Sequence, residues 1–172
     1  MGGGLLALAI LLVKSMKANQ PKGTPQEYNQ ETGATVNNNV RAVRNLNPGN
    51  VRYTGEAWQG LTGQDDKGFC QFGSVDMGAR CMVKLLRNYA KLHGKDTVRD
   101  VITRYAPSVE NDTKSYINVV SHRMGVPADQ KLNLVTDAEN LTSLAYNMHI
   151  HEAGFAWVDA EIFRKYAKEF TK

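Results

Sequence analysis

The stretch Arg44-Asn-Leu-Asn-Pro-Gly-Asn-Val-Arg-Tyr53 holds three asparagines, two arginines and a Pro-Gly pair within ten residues. Asparagine and Pro-Gly favour a tight turn, because the proline ring presets φ and asparagine side chains bond to nearby backbone. A turn alone does not require so many amides and guanidiniums. With Tyr53 in the segment and Trp58 after it, we expect the wall of a site that hydrogen-bonds and stacks on a polar ligand. The alternative is a loop whose asparagines cap its own backbone.

Length, composition and charge predict one globular domain with an anionic partner. The chain has 172 residues, 42% of them apolar, which is enough for a sizeable core. Its net charge of +4 and its sequence pI of about 9.1 suit a nucleic acid, a membrane surface or a cell-wall polymer. Because the basic residues are scattered, no nucleic-acid partner is expected. Cys70 and Cys81 either pair or serve as small buried apolar side chains.

An apolar segment opens the chain. Gly2–Val13 carries no charge, and Lys14 and Lys17 follow it. A bilayer span takes about 20 apolar residues, so this segment is short for one. A secretory signal carries its positive charge before the apolar run, whereas here the lysines follow it. We therefore expect residues 1–18 to form a helical membrane anchor that contacts lipid through residues 5–13. An atypical signal peptide and a helix packed in a protein assembly are the alternatives.

The rest of the chain divides into a linker and a domain. Residues 19–40 are polar and contain two prolines, so a flexible linker is expected before a domain at 41–172. The domain is predicted to be α+β, mainly α, with a two- or three-stranded sheet that includes Val51–Thr54 and Phe69–Phe72. Apolar spacing and capping residues predict five helices. They run from Ser74 to Leu92, from Thr97 to before Pro107, from about 111 to 125, from a capping box at Thr136 to Gly154, and over about 158–170.

The fourth predicted helix carries a carboxylate on its apolar stripe. At about 100° per residue, Glu152 falls in line with Leu141, Leu144, Ala145 and Met148. A buried carboxylate is costly unless it is paired or functional. Burial and the negative end of the helix dipole both raise the pKa of such a group, which suits a general acid near neutral pH.

A structural alternative exists for Glu152, since the carboxylate could bend out to solvent or pair with Arg44 or Arg52. Its neighbours His149 and His151 point to opposite faces of a regular helix, so they cannot bind one ion together and no metal site is expected. Of the two, His149 shares a face with Glu152. We expect it to support the wall around the carboxylate.

A set of short motifs runs through about 41–155. It comprises Arg44–Arg52, Trp58–Gly60, Gly68–Phe69 with Phe72, Gly78 with Arg80, Asn111–Thr113 with Tyr116, Met124–Val126 and His151–Gly154. The set resembles a family of phage and prophage proteins, often labelled virion structural proteins. This family includes virion-borne lytic enzymes of enveloped and membrane-containing phages. The combination of motifs is fairly specific, and it excludes the predicted anchor and linker.

This resemblance implies a lysozyme-like fold and digestion of peptidoglycan. The chain is also similar, more weakly, to cell-wall glucosaminidases and lytic transglycosylases. These carry a Glu at a helix end, followed downstream by an Asn-containing turn, a Trp-x-Gly and an aromatic strand. Here the helix-ending Glu152 comes last, which suggests a circularly permuted domain. No upstream Glu takes the usual place, because Glu31 lies in the linker and Glu56 on the wrong side of the turn.

The implied reaction cleaves the glycan between N-acetylmuramic acid and N-acetylglucosamine, with Glu152 as the acid and no cofactor. A single acid suits either a lytic transglycosylase or an inverting hydrolase. Asp65 or Asp66 would be the base of a hydrolase, although adjacent acids in such a loop are commonly only solvated. The expected substrate-binding residues are Asn47, Asn50, Arg52 and Gln71 for acetamido and lactyl groups, Tyr53 and Trp58 for stacking on sugars, and His149.

Two other functions fit the same resemblance. One is a peptidoglycan endopeptidase, which would need a metal or a nucleophile that the motifs do not supply. The other is a non-enzymatic virion protein that binds the wall. In each case we expect a location in the virion, in or on a membrane and beside other virion proteins, during phage entry or lysis. The bacterial inner membrane or periplasm is the alternative location.

Overall fold

The computed structural model describes residues 27–28, 35–36, 39–107 and 112–172. Within these ranges the chain forms four short strands and six helices. The strands are β1 (Glu27–Tyr28), β2 (Thr35–Val36), β3 (Leu61–Gln64) and β4 (Cys70–Phe72), and the helices are α1 (Arg41–Arg44), α2 (Val75–His93), α3 (Val98–Tyr105), α4 (Thr113–Met124), α5 (Ala138–Ala153) and α6 (Ala160–Phe170). The α+β, mainly helical class is confirmed.

The predicted anchor at 1–18 lies outside the described residues, as does most of the predicted linker at 19–40. Inside that linker, β1 and β2 form a two-residue antiparallel pair. In the described ranges, no helix combines the length and the apolar character that crossing a membrane requires.

Local caps fix the helix ends much as the sequence predicts. Ser74 and Thr97 accept backbone N–H groups at the starts of α2 and α3, and Gly94 ends α2 in the left-handed conformation. The capping box predicted at Thr136 is wrong. Instead, the Asp137 side chain accepts two backbone N–H groups of the first turn of α5. The one-turn helix α1 was not predicted.

Helix α5 lies at the centre of the core and packs against α2, α4 and α6. Its residues Leu141, Leu144, Ala145 and Met148 are fully buried, which confirms the apolar stripe. Each large aliphatic side chain buried in this way stabilises the fold by about 1.5–3 kcal/mol. The helix that carries Glu152 is therefore firmly held.

The sheet differs from the prediction. Strands β3 and β4 pair antiparallel with an irregularity after Leu61. The strand predicted at Val51–Thr54 is wrong, because in that segment only Arg52 forms a bridge, to Phe69. Positive φ angles of 47° at Asn50 and 99° at Gly55 bend the backbone on either side of the bridge.

The Asn-Pro-Gly segment lies directly on α2. A Cβ atom at Gly78 would lie 2.0 Å from the Leu46 carbonyl oxygen and 2.9 Å from Pro48 Cδ, so only glycine allows this approach. From α3, the Tyr105 hydroxyl donates a hydrogen bond to the Gly49 carbonyl. The turn is thus fixed from two sides.

The two cysteines are small buried apolar side chains rather than a disulfide. Cys70 and Cys81 are both free and buried. They pack with Val51 and Phe72 in a second, smaller apolar cluster beneath the hairpin.

Candidate functional site

The carboxyl group of Glu152, in the last turn of α5, receives two side-chain hydrogen bonds. Asn50 Nδ2 donates to Oε2 at 3.0 Å, and the Tyr116 hydroxyl donates to Oε1 at 2.8 Å. Asn50 lies 102 positions earlier in the chain. The Asn-Pro-Gly turn and the end of α5 therefore meet in space.

The environment of Glu152 raises its pKa. Burial is the largest cause, since it penalises the charged form, whereas the hydrogen bonds from Asn50 and Tyr116 favour the charged form and offset part of the rise. The carboxyl group therefore keeps its proton to a higher pH than an exposed glutamic acid does. It also has two donors ready to stabilise the anion after that proton leaves.

Glu152 lines a cleft with a volume of about 420 Å³. Three of the predicted substrate-binding residues, Asn50, Arg52 and Trp58, line it as well. Two polar atoms of this group, Asn50 Oδ1 and Trp58 Nε1, are buried and make no hydrogen bond within the described chain. Such atoms, one acceptor and one donor, suit a ligand that carries amide groups.

Asn47 lies outside this cleft, contrary to its predicted role. Its side chain is fully buried. It donates to the carbonyls of Val51 and Cys70 and accepts from the Val51 N–H, at 2.9–3.0 Å. For this residue, the interpretation of an asparagine that caps its own backbone is the right one.

His149 also lies away from the cleft. It is fully buried and contacts the rings of Tyr146 and Phe163, with centroids 4.9 and 5.0 Å away. Burial lowers the pKa of His149 to about 4, so the ring is a neutral part of the core. It packs in the core beneath α5 and lines neither the cleft nor its wall.

Two further predicted binding residues do not line the cleft. Gln71 lies on strand β4 and donates to Asn45 Oδ1 at 3.4 Å. Tyr53 is 39% exposed and lies outside the residues that form the cleft wall. Neither contributes to the pocket around Glu152 in this conformation.

The predicted second carboxylates have other positions. Asp65 accepts the N–H groups of Lys67 and Phe69 and the Asn45 amide, each at 2.9 Å. Burial alone would raise the pKa of Asp65, but these hydrogen bonds bring it below its usual value. The Asp65 carboxylate therefore stabilises the loop between β3 and β4. Asp66 is exposed, and neither acid lines the cleft.

Glu56, which is not among the residues expected at the site, does line the cleft. The Thr54 hydroxyl donates a hydrogen bond to its carboxylate. Among the residues of the cleft wall, Glu56 and Glu152 are the two acids. The Glu56 side chain is exposed, whereas burial desolvates the carboxyl group of Glu152. No local signal in the sequence marks Glu56, since only the tertiary fold brings its loop to the cleft.

A second cavity of about 220 Å³ also reaches Glu152. Tyr116 and His151 line it with Asp112 and Ser115. The His151 ring stacks on Tyr116 with centroids 3.7 Å apart, and burial lowers the pKa of His151. Within the described ranges, no three His, Cys, Asp or Glu side chains converge where a metal ion could be held.

Comparison with known proteins places the chain in a phage family. In an alignment of 135 positions that covers 71% of this chain and 84% of the relative, it is 36% identical to Protein P5 of Pseudoalteromonas phage PM2. The chain belongs to the family of this phage protein. A phage protein as a relative agrees with the resemblance to phage proteins drawn from the motifs, and the name Protein P5 specifies no activity. No family model matches the sequence.

Proposed function

We propose that this protein is a virion-associated enzyme that cleaves the glycan strand of peptidoglycan, with Glu152 as the general acid. The observation that carries the proposal is the desolvated Glu152 carboxyl group, bonded by Asn50 and Tyr116 at the wall of a cleft. A carboxyl group with a raised pKa is protonated at higher pH than an exposed one, so it can donate to a leaving group.

In the proposed reaction, Glu152 transfers its proton to the glycosidic oxygen while the bond from that oxygen to the anomeric carbon breaks. The carboxylate that results is stabilised by the Asn50 amide and the Tyr116 hydroxyl. A water molecule then attacks the anomeric carbon. Glu56 is our candidate for the base that takes the proton of this water, in place of Asp65 and Asp66. In a transglycosylase, a hydroxyl of the muramic acid itself would attack instead.

The polar and aromatic groups of the cleft wall suit an amino-sugar substrate. The Trp58 ring offers an apolar face, and its Nε1 atom is a donor without a partner in the described chain. Asn50 Oδ1 is a buried acceptor that also has no hydrogen-bond partner in the described chain. An acetamido group carries one carbonyl and one N–H, so it can satisfy both kinds of atom.

The family supports the cellular context that we propose. A membrane-containing phage is the source of the related Protein P5, which agrees with a membrane contact through residues 5–13 and with neighbouring virion proteins. We further propose that the domain is a permuted relative of lysozyme-like enzymes, because a helix-ending Glu meets an Asn-containing turn and a small hairpin.

The direct test digests purified sacculi with the full chain in mild detergent and identifies the products by mass spectrometry. New reducing ends would indicate hydrolysis, and anhydro-muramic ends would indicate transglycosylation. Either supports the proposal. New peptide termini with an intact glycan would replace it with an endopeptidase, and binding to sacculi without any release would leave a wall-binding virion protein.

A further inference from the structure

Tyr105, the last residue of α3, lines the cleft but has no role in the proposed reaction. Its side chain is partly buried and packs against both the main core and the smaller cluster beneath the hairpin. From this position its hydroxyl group donates a hydrogen bond to the Gly49 carbonyl. Helix α3 is therefore joined to the residue directly before Asn50.

The peptide group between Gly49 and Asn50 is hydrogen-bonded at both edges. Its carbonyl accepts from the Tyr105 hydroxyl, and its N–H donates to the Asn47 carbonyl at 2.9 Å. Asn47 is itself fully buried and bonded to Val51. Because a peptide group is planar, bonds to its carbonyl and to its N–H together fix its orientation. The peptide plane that leads into Asn50 is thus held by Tyr105 on one side and by Asn47 on the other.

Asn50 depends on this orientation because of its backbone conformation. Its φ of 47° lies in the left-handed region, which is uncommon outside glycine, although asparagine tolerates it better than most residues. In this conformation its Nδ2 atom lies 3.0 Å from Glu152 Oε2. A rotation of the Gly49–Asn50 peptide would redirect the Asn50 side chain. The orientation of that peptide therefore determines whether the bond to Glu152 forms.

Close packing around Gly49 restricts the peptide further. A Cβ atom at Gly49 would lie 2.5 Å from the Tyr105 hydroxyl oxygen and 3.0 Å from Met82 Cγ. Met82 belongs to α2 and is fully buried. The Gly49 backbone thus lies against both helices, and the motion left to it is away from Tyr105. The hydrogen bond from the Tyr105 hydroxyl opposes that motion.

We propose that Tyr105 is a positioning residue of the site: its hydroxyl group holds the Gly49–Asn50 peptide so that the Asn50 amide stays within hydrogen-bonding distance of Glu152. The single proton of this hydroxyl is donated to Gly49, so Tyr105 acts on Glu152 through Asn50. The inference deepens the proposed function and rests on it for the role of Glu152 as the acid. The hydrogen bonds exist without substrate, so the inference can fail while glycan cleavage stands.

The test measures the pKa of Glu152 by ¹³C NMR titration of the full chain without substrate. The carboxyl signal is assigned by its absence from Glu152→Gln. Tyr105→Phe removes the hydroxyl and keeps the ring that packs in the core. Because the bond from Asn50 favours the charged form of Glu152, loosening it should raise the pKa of Glu152. We expect a rise in the same direction as with Asn50→Gly, and a smaller one.

A double variant separates positioning from a direct effect. In the Asn50→Gly background no amide remains to be oriented, so adding Tyr105→Phe should leave the pKa of Glu152 unchanged. The matched control is Tyr89→Phe in the wild-type background. Tyr89 also lines the cleft, and its ring centroid lies 4.9 Å from Cζ of Arg104, another residue of the wall. This control should leave the pKa of Glu152 unchanged.

An unchanged pKa of Glu152 in Tyr105→Phe would overturn the inference, because the hydroxyl would then be dispensable for the Asn50 bond. A rise of the same size in the wild-type and Asn50→Gly backgrounds would also overturn it, by assigning the effect to direct action of Tyr105 on Glu152. So would an equal rise with Tyr89→Phe, since that result indicates a general effect of hydroxyl groups in the cleft.

Discussion

Asn50 and Glu152 lie 102 positions apart in the sequence and are joined by a hydrogen bond of 3.0 Å from Nδ2 to Oε2. This bond connects the polar turn at the start of the domain to the end of its central helix. It therefore joins the two features that the sequence marks as unusual, a turn rich in amide and guanidinium groups and a carboxyl group on the apolar stripe of a helix.

Replacing Asn50 should raise the pKa of Glu152 further. The Asn50 amide stabilises the ionised carboxylate, so Asn50→Ala removes one of the causes that lower its pKa. The measurement is a ¹³C NMR titration of the Glu152 carboxyl carbon. Because φ at Asn50 is 47°, alanine also introduces strain there, and Asn50→Gly serves as the control that does not. A rise with alanine but not with glycine would assign the effect to the backbone.

Adding a methyl group at Gly78 should destabilise the protein, although alanine is the better helix former by about 1 kcal/mol. A Cβ atom there meets the Leu46 carbonyl oxygen at 2.0 Å, so the turn must move. We expect Gly78→Ala to cost about 1–3 kcal/mol in urea unfolding. The control Gly63→Ala places its Cβ 3.5 Å from Gln71 Oε1, an ordinary contact. Similar stability of the two variants would contradict this packing.

The stability difference between wild type and Glu152→Gln should depend on pH. Because burial raises the pKa of Glu152 in the folded state, its carboxyl is neutral in both states below the unfolded-chain pKa of about 4.3. As the pH rises through the folded pKa, the folded protein must hold a buried charge and loses stability. Relative to wild type, Glu152→Gln should have a higher urea midpoint at about pH 8 than at about pH 4. A constant difference would mean that the carboxyl is not desolvated.

If Glu56 is the base of a hydrolase, Glu56→Gln should lower the release of reducing ends by about 10² or more, since general-base catalysis supplies such a factor. Any anhydro products should be unaffected, because that route needs no activated water. Asp66→Asn removes an exposed acid outside the cleft and should change neither product. Loss with Asp66→Asn and not with Glu56→Gln would assign the base to Asp66, one of the two acids that the sequence predicts.

Local chemistry made the helices predictable. The starts at Ser74 and Thr97 and the end at Gly94 depend on residues within one turn. The apolar stripe that includes Met148 identified the inward face on which Glu152 lies, since periodicity alone determines a helix face.

The strands and the site depended on distant partners and were predicted less well. The turn angles on either side of Val51–Thr54 limit its pairing as a strand. Strand β3 was not predicted, because the sequence there is typical of a glycine-containing loop. Asn47 and Asn50 look equivalent in sequence, yet one bonds its own loop and the other Glu152. Tyr116 and Arg104 reach the site only through helix packing, which no sequence window contains.

The most direct test of the central claim compares initial rates of glycan release from sacculi by the full-length wild type and by Glu152→Gln. Glu169→Gln is the matched control, because Glu169 is exposed on α6. Circular dichroism would verify that all three proteins are folded. We predict that Glu152→Gln loses activity by about 10² or more, as expected for loss of a general acid, while Glu169→Gln retains it. Equal activity of the two variants would contradict Glu152 as the proton donor.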